Sequence, residues 1–263
     1  MTPFANKIAL ITGASRGIGR ATALLLAERG ADVVVHYKRG EAAAKEVVEQ
    51  VLALGRRAVS VQADVEQPEE IRRMFQQVAE RFGALDILVA NAASTAFRRM
   101  LDLKNHHLAR TYQISVFSFV HAAQEAVKLM TGRRGKIVTV SSFPTLRYLP
   151  NYAALGSAKA ALETLTRYLA VELAPLGITV NGVSPGLVET DSSRIYAGDN
   201  FASFERQIID STPKGRIGTP DDIARVIAFL CSEDAEWIVG QTIMVDGGMT
   251  IPSPYIQLPE GTR

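Results

Sequence analysis

Cysteine is nearly absent from the 263-residue sequence: Cys231 stands alone, which excludes an intrachain disulfide framework and any cysteine-rich zinc site. Its neighbours Ile227, Ala228, Phe229 and Leu230 are apolar, so it is expected as a packing residue on a buried helix. Charge of one sign is also missing. Lys+Arg number 29 against Asp+Glu 27, a net charge of +2, whereas chains that bind nucleic acid or an anionic membrane concentrate excess basic charge. No run of 18 apolar residues occurs, so no membrane-spanning helix is expected. Lys7 leads directly into a short strand-like run, without the apolar core and cleavage site of a signal peptide, and a cytoplasmic location is expected. No metal site, no repeat at a fixed period and no break into two domains can be read.

What is present is a core. With 47% hydrophobic and 21% charged residues the composition is globular, and the length fits one large α/β domain. Apolar, β-rich runs at residues 8–12, 33–36, 58–62, 87–90, 137–141, 179–183 and 242–245 carry little polar alternation, as parallel strands covered on both faces do. Helical patterns fill the intervals at 17–29, 41–54, 68–82, 103–130, 152–173 and 221–231. The expected fold is a single-domain α/β Rossmann fold over residues 1–263, a doubly wound parallel seven-stranded sheet with helices on both faces. Residues 187–220, rich in Gly, Asp, Asn and Ser, interrupt the alternation and are expected to form a lid over a ligand; residues 249–263 form a C-terminal tail.

The first strand ends in Thr12-Gly13-Ala14-Ser15-Arg16-Gly17-Ile18-Gly19 and runs into a helix. Glycines allow a tight turn, and free N–H groups at the helix start suit a pyrophosphate. A strand before the cluster and a second strand after it give the context that makes a dinucleotide site credible. Dinucleotide sites that prefer NAD place an acid near the end of the second strand to take the ribose hydroxyls. Here the chain reads Val35-His36-Tyr37-Lys38-Arg39, with no carboxylate to repel a 2′-phosphate. Arg16, Lys38 and Arg39 offer cations for it, and the expected cofactor is NADPH.

These residues, with others along almost the whole chain, resemble the short-chain dehydrogenase/reductase family. Gly13-x-x-x-Gly17-x-Gly19 has that family's spacing. The resemblance implies adenine contacts at Asp64 and Val65, cofactor contacts at Asn91, Ala92 and Ala93, and a nicotinamide segment at Pro185, Gly186, Val188 and Thr190; Asp246-Gly247-Gly248 is also typical. Most members carry Tyr-x-x-x-Lys after the fifth strand. Here the position four before Lys159 is Leu155, and the upstream tyrosine is Tyr152. That Tyr-x6-Lys spacing, with the surrounding 141–173 segment, resembles the Bacillus-type NADPH-dependent enoyl-acyl-carrier-protein reductases. The resemblance implies Tyr152, Lys159 and Ser142 as catalytic residues, with Lys159 holding the nicotinamide ribose.

Seven residues advance a helix about two turns, roughly 10 Å, so Tyr152 and Lys159 share one face with the tyrosine a turn further off than in the common spacing. That suits a conjugated thioester, where hydride goes to the β-carbon and negative charge gathers on a distant carbonyl oxygen. One departure is Ser115, which stands where the family often has an asparagine that steadies a water leading to the lysine. It points to a relative with a changed substrate. Two other readings stay open: a carbonyl or 3-ketoacyl reductase, and a catalytically weak nucleotide-binding homologue.

The expected partners are an enoyl thioester, on acyl carrier protein or coenzyme A, and further copies of the chain in a homotetramer or homodimer. Ile195, Tyr196, Phe201, Phe204, Ile208 and Ile209 would line an apolar lid, and Arg194, Arg206, Lys214 and Arg216 would meet a carrier's phosphate or acids. Tyr168, Leu169 and Leu173 are expected at a subunit interface, and the proline-rich tail as an extended arm.

Overall fold

Seven parallel strands form one sheet in the computed structural model, which describes residues 2–252. The strands are β1 (Ile8–Ile11), β2 (Asp32–Tyr37), β3 (Ala58–Gln62), β4 (Ile87–Ala90), β5 (Lys136–Val140), β6 (Thr179–Pro185) and β7 (Thr242–Val245). Their order is β3-β2-β1-β4-β5-β6-β7, so the winding reverses between β1 and β4. In an open α/β sheet the crevice beyond the strand ends at that reversal is the ligand site.

Successive side chains of a strand face opposite sides of the sheet, and this builds two cores. Ala9 and Ile11 of β1 join one with Leu26, Val47 and Ile227, while Ile8 and Leu10 join the other with Met74, Phe119 and Leu162. The first is covered by α1 (Gly17–Glu28), α2 (Glu41–Ala53) and α9 (Pro220–Cys231). The second is covered by α3 (Pro68–Phe82), α5 (Ser118–Met130) and α6 (Ala153–Leu173). Local chemistry sets the boundaries. Pro68 opens α3 with Glu69 and Glu70 in its first turn, and Gly83 closes it in the left-handed region at φ 75°. Cys231 is buried at the end of α9, where burial pushes its thiol up to about 12.

Two expected elements differ. Residues 103–130 do not form one regular helix: α4 (Asn105–Tyr112) passes into a π-helical turn at Gln113–Phe117 before α5 begins. Tyr152 lies outside its expected helix. It precedes the first residue of α6 and follows Asn151, which is left-handed at φ 60°.

Residues 187–220, expected as a lid, leave the sheet as a flap of two helices. It holds α7 (Asp191–Ala197) and α8 (Phe201–Ser211), and its base is tied shut where Glu189 N donates to Gly218 O and Gly218 N to Leu187 O, both 2.9 Å. Of the tail expected as an extended arm over residues 249–263, residues 249–252 turn back, with Ile251 N donating to Gly248 O at 3.1 Å, and the rest lies outside the described residues. Among those described, no helix is long and apolar enough to cross a membrane.

Candidate active site

The turn after β1 is shaped to approach an anion closely. Gly13 and Gly17 adopt φ 65° and 54°, and a Cβ on Gly19 would lie 2.3 Å from the carbonyl oxygen of Gly13. Only glycine fits there. Arg16 stands at the N-cap of α1 without a side-chain cap, and the first turn has no acid, so the first N–H groups of a twelve-residue helix are unspent. This donor set fits a pyrophosphate.

Asn91, just past β4, secures the turn by donating from Nδ2 to the carbonyls of Thr12 (2.9 Å) and Gly13 (3.2 Å). Ala92 N donates to Thr12 Oγ1, while Ala93 is exposed. His36 braces the other side. Its Nδ1 accepts from Gly13 N at 3.0 Å, and its Nε2 lies 3.0 Å from Ala63 O. Burial holds the imidazole down to about 4, against a smaller rise from its bond to Ala63, so the ring is neutral. Pro185 ends β6, and Gly186 packs on Asp246 so closely that a Cβ would come within 2.8 Å. Val188 is buried, and the methyl of Thr190 lies 3.4 Å from a Cβ built on Gly17, which brings the 185–190 segment against the glycine turn.

Lys38 departs from its expected place as a free cation. Its Nζ meets Asp64 at 2.8 Å and Glu66 at 2.5 Å, and Glu66 also takes Arg110 at 3.0 Å. Burial opposes the charge on Lys38, but the two carboxylates raise its pKa above the usual value. Strand pairing is the cause, because β2 runs beside β3 with Tyr37 opposite Gln62 and delivers the acids that follow. Asp64, expected against adenine, thus holds an ion pair with Lys38. Arg39 is exposed with no ion pair among the described residues, and Arg16 holds only a solvent-exposed pair with Asp191 at 3.2 Å.

Past β5, Ser142 and Tyr152 meet directly, with Oγ and Oη 3.3 Å apart. Burial raises the Tyr152 pKa, partly offset by Ser142, so the phenol stays protonated at neutral pH. Lys159 is buried in α6 and donates to Val140 O at 2.6 Å, not to Tyr152. Burial lowers its pKa to about 8, with the Glu163 carboxylate pulling the other way. Leu155, at the position of the commoner tyrosine, is buried. Ser115 sits in the π-helical turn with its hydroxyl buried and unpartnered, facing a cavity of about 20 Å³ that Lys159 and Thr12 also line. That is room for about one water.

An aromatic wall surrounds Tyr152. Phe97 stacks on it at 5.5 Å, Tyr196 of α7 meets both rings edge-on at 5.0 and 5.7 Å, and Phe204 of α8 meets Tyr196 at 5.3 Å. Tyr196 donates to Pro150 O at 2.8 Å, tying the flap to the loop that delivers Tyr152. Phe97 was not anticipated; its place in the connection after β4, beyond a strand's C-terminal end, is the signal that could have found it. The flap cations are exposed, and three of them hold ion pairs while Lys214 has none among the described residues. Arg194 pairs with Glu189 (2.6 Å), Arg206 with Asp210 (3.2 Å) and Arg216 with Asp222 (2.7 Å).

A family profile described as Enoyl-(Acyl carrier protein) reductase matches residues 13–250, the stretch from the glycine turn to the loop after β7. The chain is a short-chain dehydrogenase/reductase. As such it is an oxidoreductase with a nicotinamide cofactor. Among curated members of this family, it is 46% identical over 249 residues to 1-cyclohexenylcarbonyl-CoA reductase of Streptomyces collinus, covering 95% of this chain and 89% of that one. It is 37% identical over 251 residues to versicolorin reductase 1 of Aspergillus parasiticus, covering 92% and 96%. A short-chain dehydrogenase of Burkholderia cenocepacia solved in complex with NADP superposes with a TM-score of 0.87 at 36% identity, covering 94% of this chain and 99% of that one.

Proposed function

We propose that this short-chain dehydrogenase/reductase reduces the conjugated C=C bond of a 2-enoyl thioester with NADPH, the acyl group being carried by coenzyme A. The observation that carries the reading is the place of Tyr152. It stands ahead of α6, held by Ser142 and walled by Phe97 and Tyr196, while Leu155 fills the position nearer Lys159. The relative that reduces a cyclohexenylcarbonyl thioester supports it.

Bound NADPH would supply a hydride to the β-carbon of the substrate. Tyr152, protonated, donates a hydrogen bond to the thioester oxygen as negative charge gathers there, and Ser142 orients the phenol. Lys159 places a buried positive charge beneath the reacting centre, where low dielectric strengthens its pull on the developing anion. Hydride addition leaves an enolate, which takes a proton from solvent water at its α-carbon to complete the reduction. The preference for NADPH over NADH draws support from the exposed Arg39, the absence of an acid in residues 36–39, and the NADP-bound neighbour.

One observation favours a second reading, ketone reduction. Ser142 and Tyr152 are close enough to donate together to a single carbonyl oxygen, and versicolorin reductase 1 is among the relatives. NADPH consumption on crotonyl-CoA, cyclohexenylcarbonyl-CoA, a 3-ketoacyl-CoA and small aromatic ketones separates the two. The enoyl substrates are expected to lead, with Tyr152→Phe lowering kcat about 100-fold or more. Faster turnover of the ketones would replace the first reading with the second.

We also propose self-association. Leu169 and Leu173 of α6 pack toward the core, but Tyr168 and Val171 are 66% and 74% exposed on its outer face, and an apolar stripe of this kind is a surface for another copy.

A further inference from the structure

A groove of about 330 Å³ opens from Tyr152 and runs between residues 99–101 and residues 144–157. Its lining is largely apolar, with Met100, Leu101, Pro144, Tyr148 and Leu149, of which Met100, Leu101 and Tyr148 are exposed. Two arginines line it, Arg99 and Arg147, and no carboxylate among the described residues does. The segment 98–104 adds Arg98 and Lys104 against the single acid Asp102. Arg99 reaches Asp102 only at 3.9 Å, with both side chains mostly in solvent, a contact worth little. Arg147 donates through one Nη2 to Thr250 O at 2.7 Å, and its other N–H groups have no partner among the described residues. The flap arginines, by contrast, are each matched by an acid.

A neutral ring substrate would use the apolar lining and leave this charge unanswered. A ligand with an extended arm and phosphates at its far end answers both. We infer that the groove receives the pantetheine arm of a coenzyme A thioester, with Met100, Leu101 and Tyr148 along the arm and Arg99 and Arg147 on its phosphates, by charge-assisted, forked hydrogen bonds. The inference rests on the thioester reading and adds which part of the thioester is recognised, and where.

The test compares crotonyl-CoA with crotonyl-N-acetylcysteamine, which keeps the reacting thioester and lacks every phosphate. Wild-type protein should prefer the CoA ester in kcat/KM, with a preference that shrinks as salt is added. In R99Q/R147Q the ratio of the two kcat/KM values should fall about tenfold or more, mainly through KM for the CoA ester, and R99K/R147K should restore part of it. NADPH binding by the variants, followed by fluorescence, shows that they are folded. A wild-type ratio near one, or an unchanged ratio in R99Q/R147Q, overturns the groove assignment while the enoyl reading stands. Consumption of neither ester overturns both.

Discussion

In the proposed reaction Lys159 sets the acid–base behaviour of the site. Its ammonium is buried, and burial brings its pKa down to about 8, while the phenol of Tyr152 is pushed above its ordinary value. Below about pH 8 the lysine carries the charge that favours an anionic transition state; above it the charge is lost while Tyr152 keeps its proton. The expected kcat/KM profile therefore falls on the alkaline side with an apparent pKa near 8. Lys159→Arg, which stays charged, should move that fall upward by more than a unit even if its rate is lower. An unchanged alkaline limb in the variant would assign the ionisation elsewhere. Tyr152 and Lys159 could be singled out because their spacing is local, but the bonds they make, to Ser142 and to the Val140 carbonyl, come from residues of β5 and the loop after it. The ion pairs of Lys38 were not legible, because Asp64 and Glu66 are distant in sequence and arrive only through strand pairing.

At the scale of elements, the glycine turn and α1 form one device. The turn must pass close enough to the helix start for its N–H groups to converge, and Gly19 leaves no space for a methyl group beside the Gly13 carbonyl. Gly19→Ala is expected to force the two apart and abolish cofactor binding. NADPH at about 100 times its Kd stabilises a native protein by about 2.7 kcal/mol, roughly 5–10 °C for a domain of this size. The wild type should show that shift in a thermal melt, and Gly19→Ala should not. Apolar runs and caps made nearly all the strands and helices readable within a residue or two. The π-helical turn was not, since Gln113, Ile114, Ser115, Val116 and Phe117 include no glycine or proline. Its extra residue per turn shows only where Ser115 is carried against Lys159's cavity. The doubly wound parallel sheet was legible in the β–α alternation, while its strand order is set by which strands pair, a long-range fact that the structure supplies.

Across the whole molecule, stability is tied to the nucleotide crevice through His36. Its ring accepts a hydrogen bond from Gly13 on one side and faces Ala63 O on the other, so only one tautomer fits, with the proton on Nε2. A second proton has no place there. The unfolded chain takes that proton as pH falls through about 6.5, whereas the folded chain resists until about 4. Stability from this group is thus complete above pH 6.5 and drains away between there and pH 4, by up to about 3 kcal/mol. Urea unfolding at pH 7 and pH 4.5 should show the midpoint dropping, and His36→Asn should lessen the drop; an equal drop in the variant would place the sensitivity in another group. One imidazole thus makes the shape of the cofactor turn and the acid tolerance of the entire fold depend on the same missing proton.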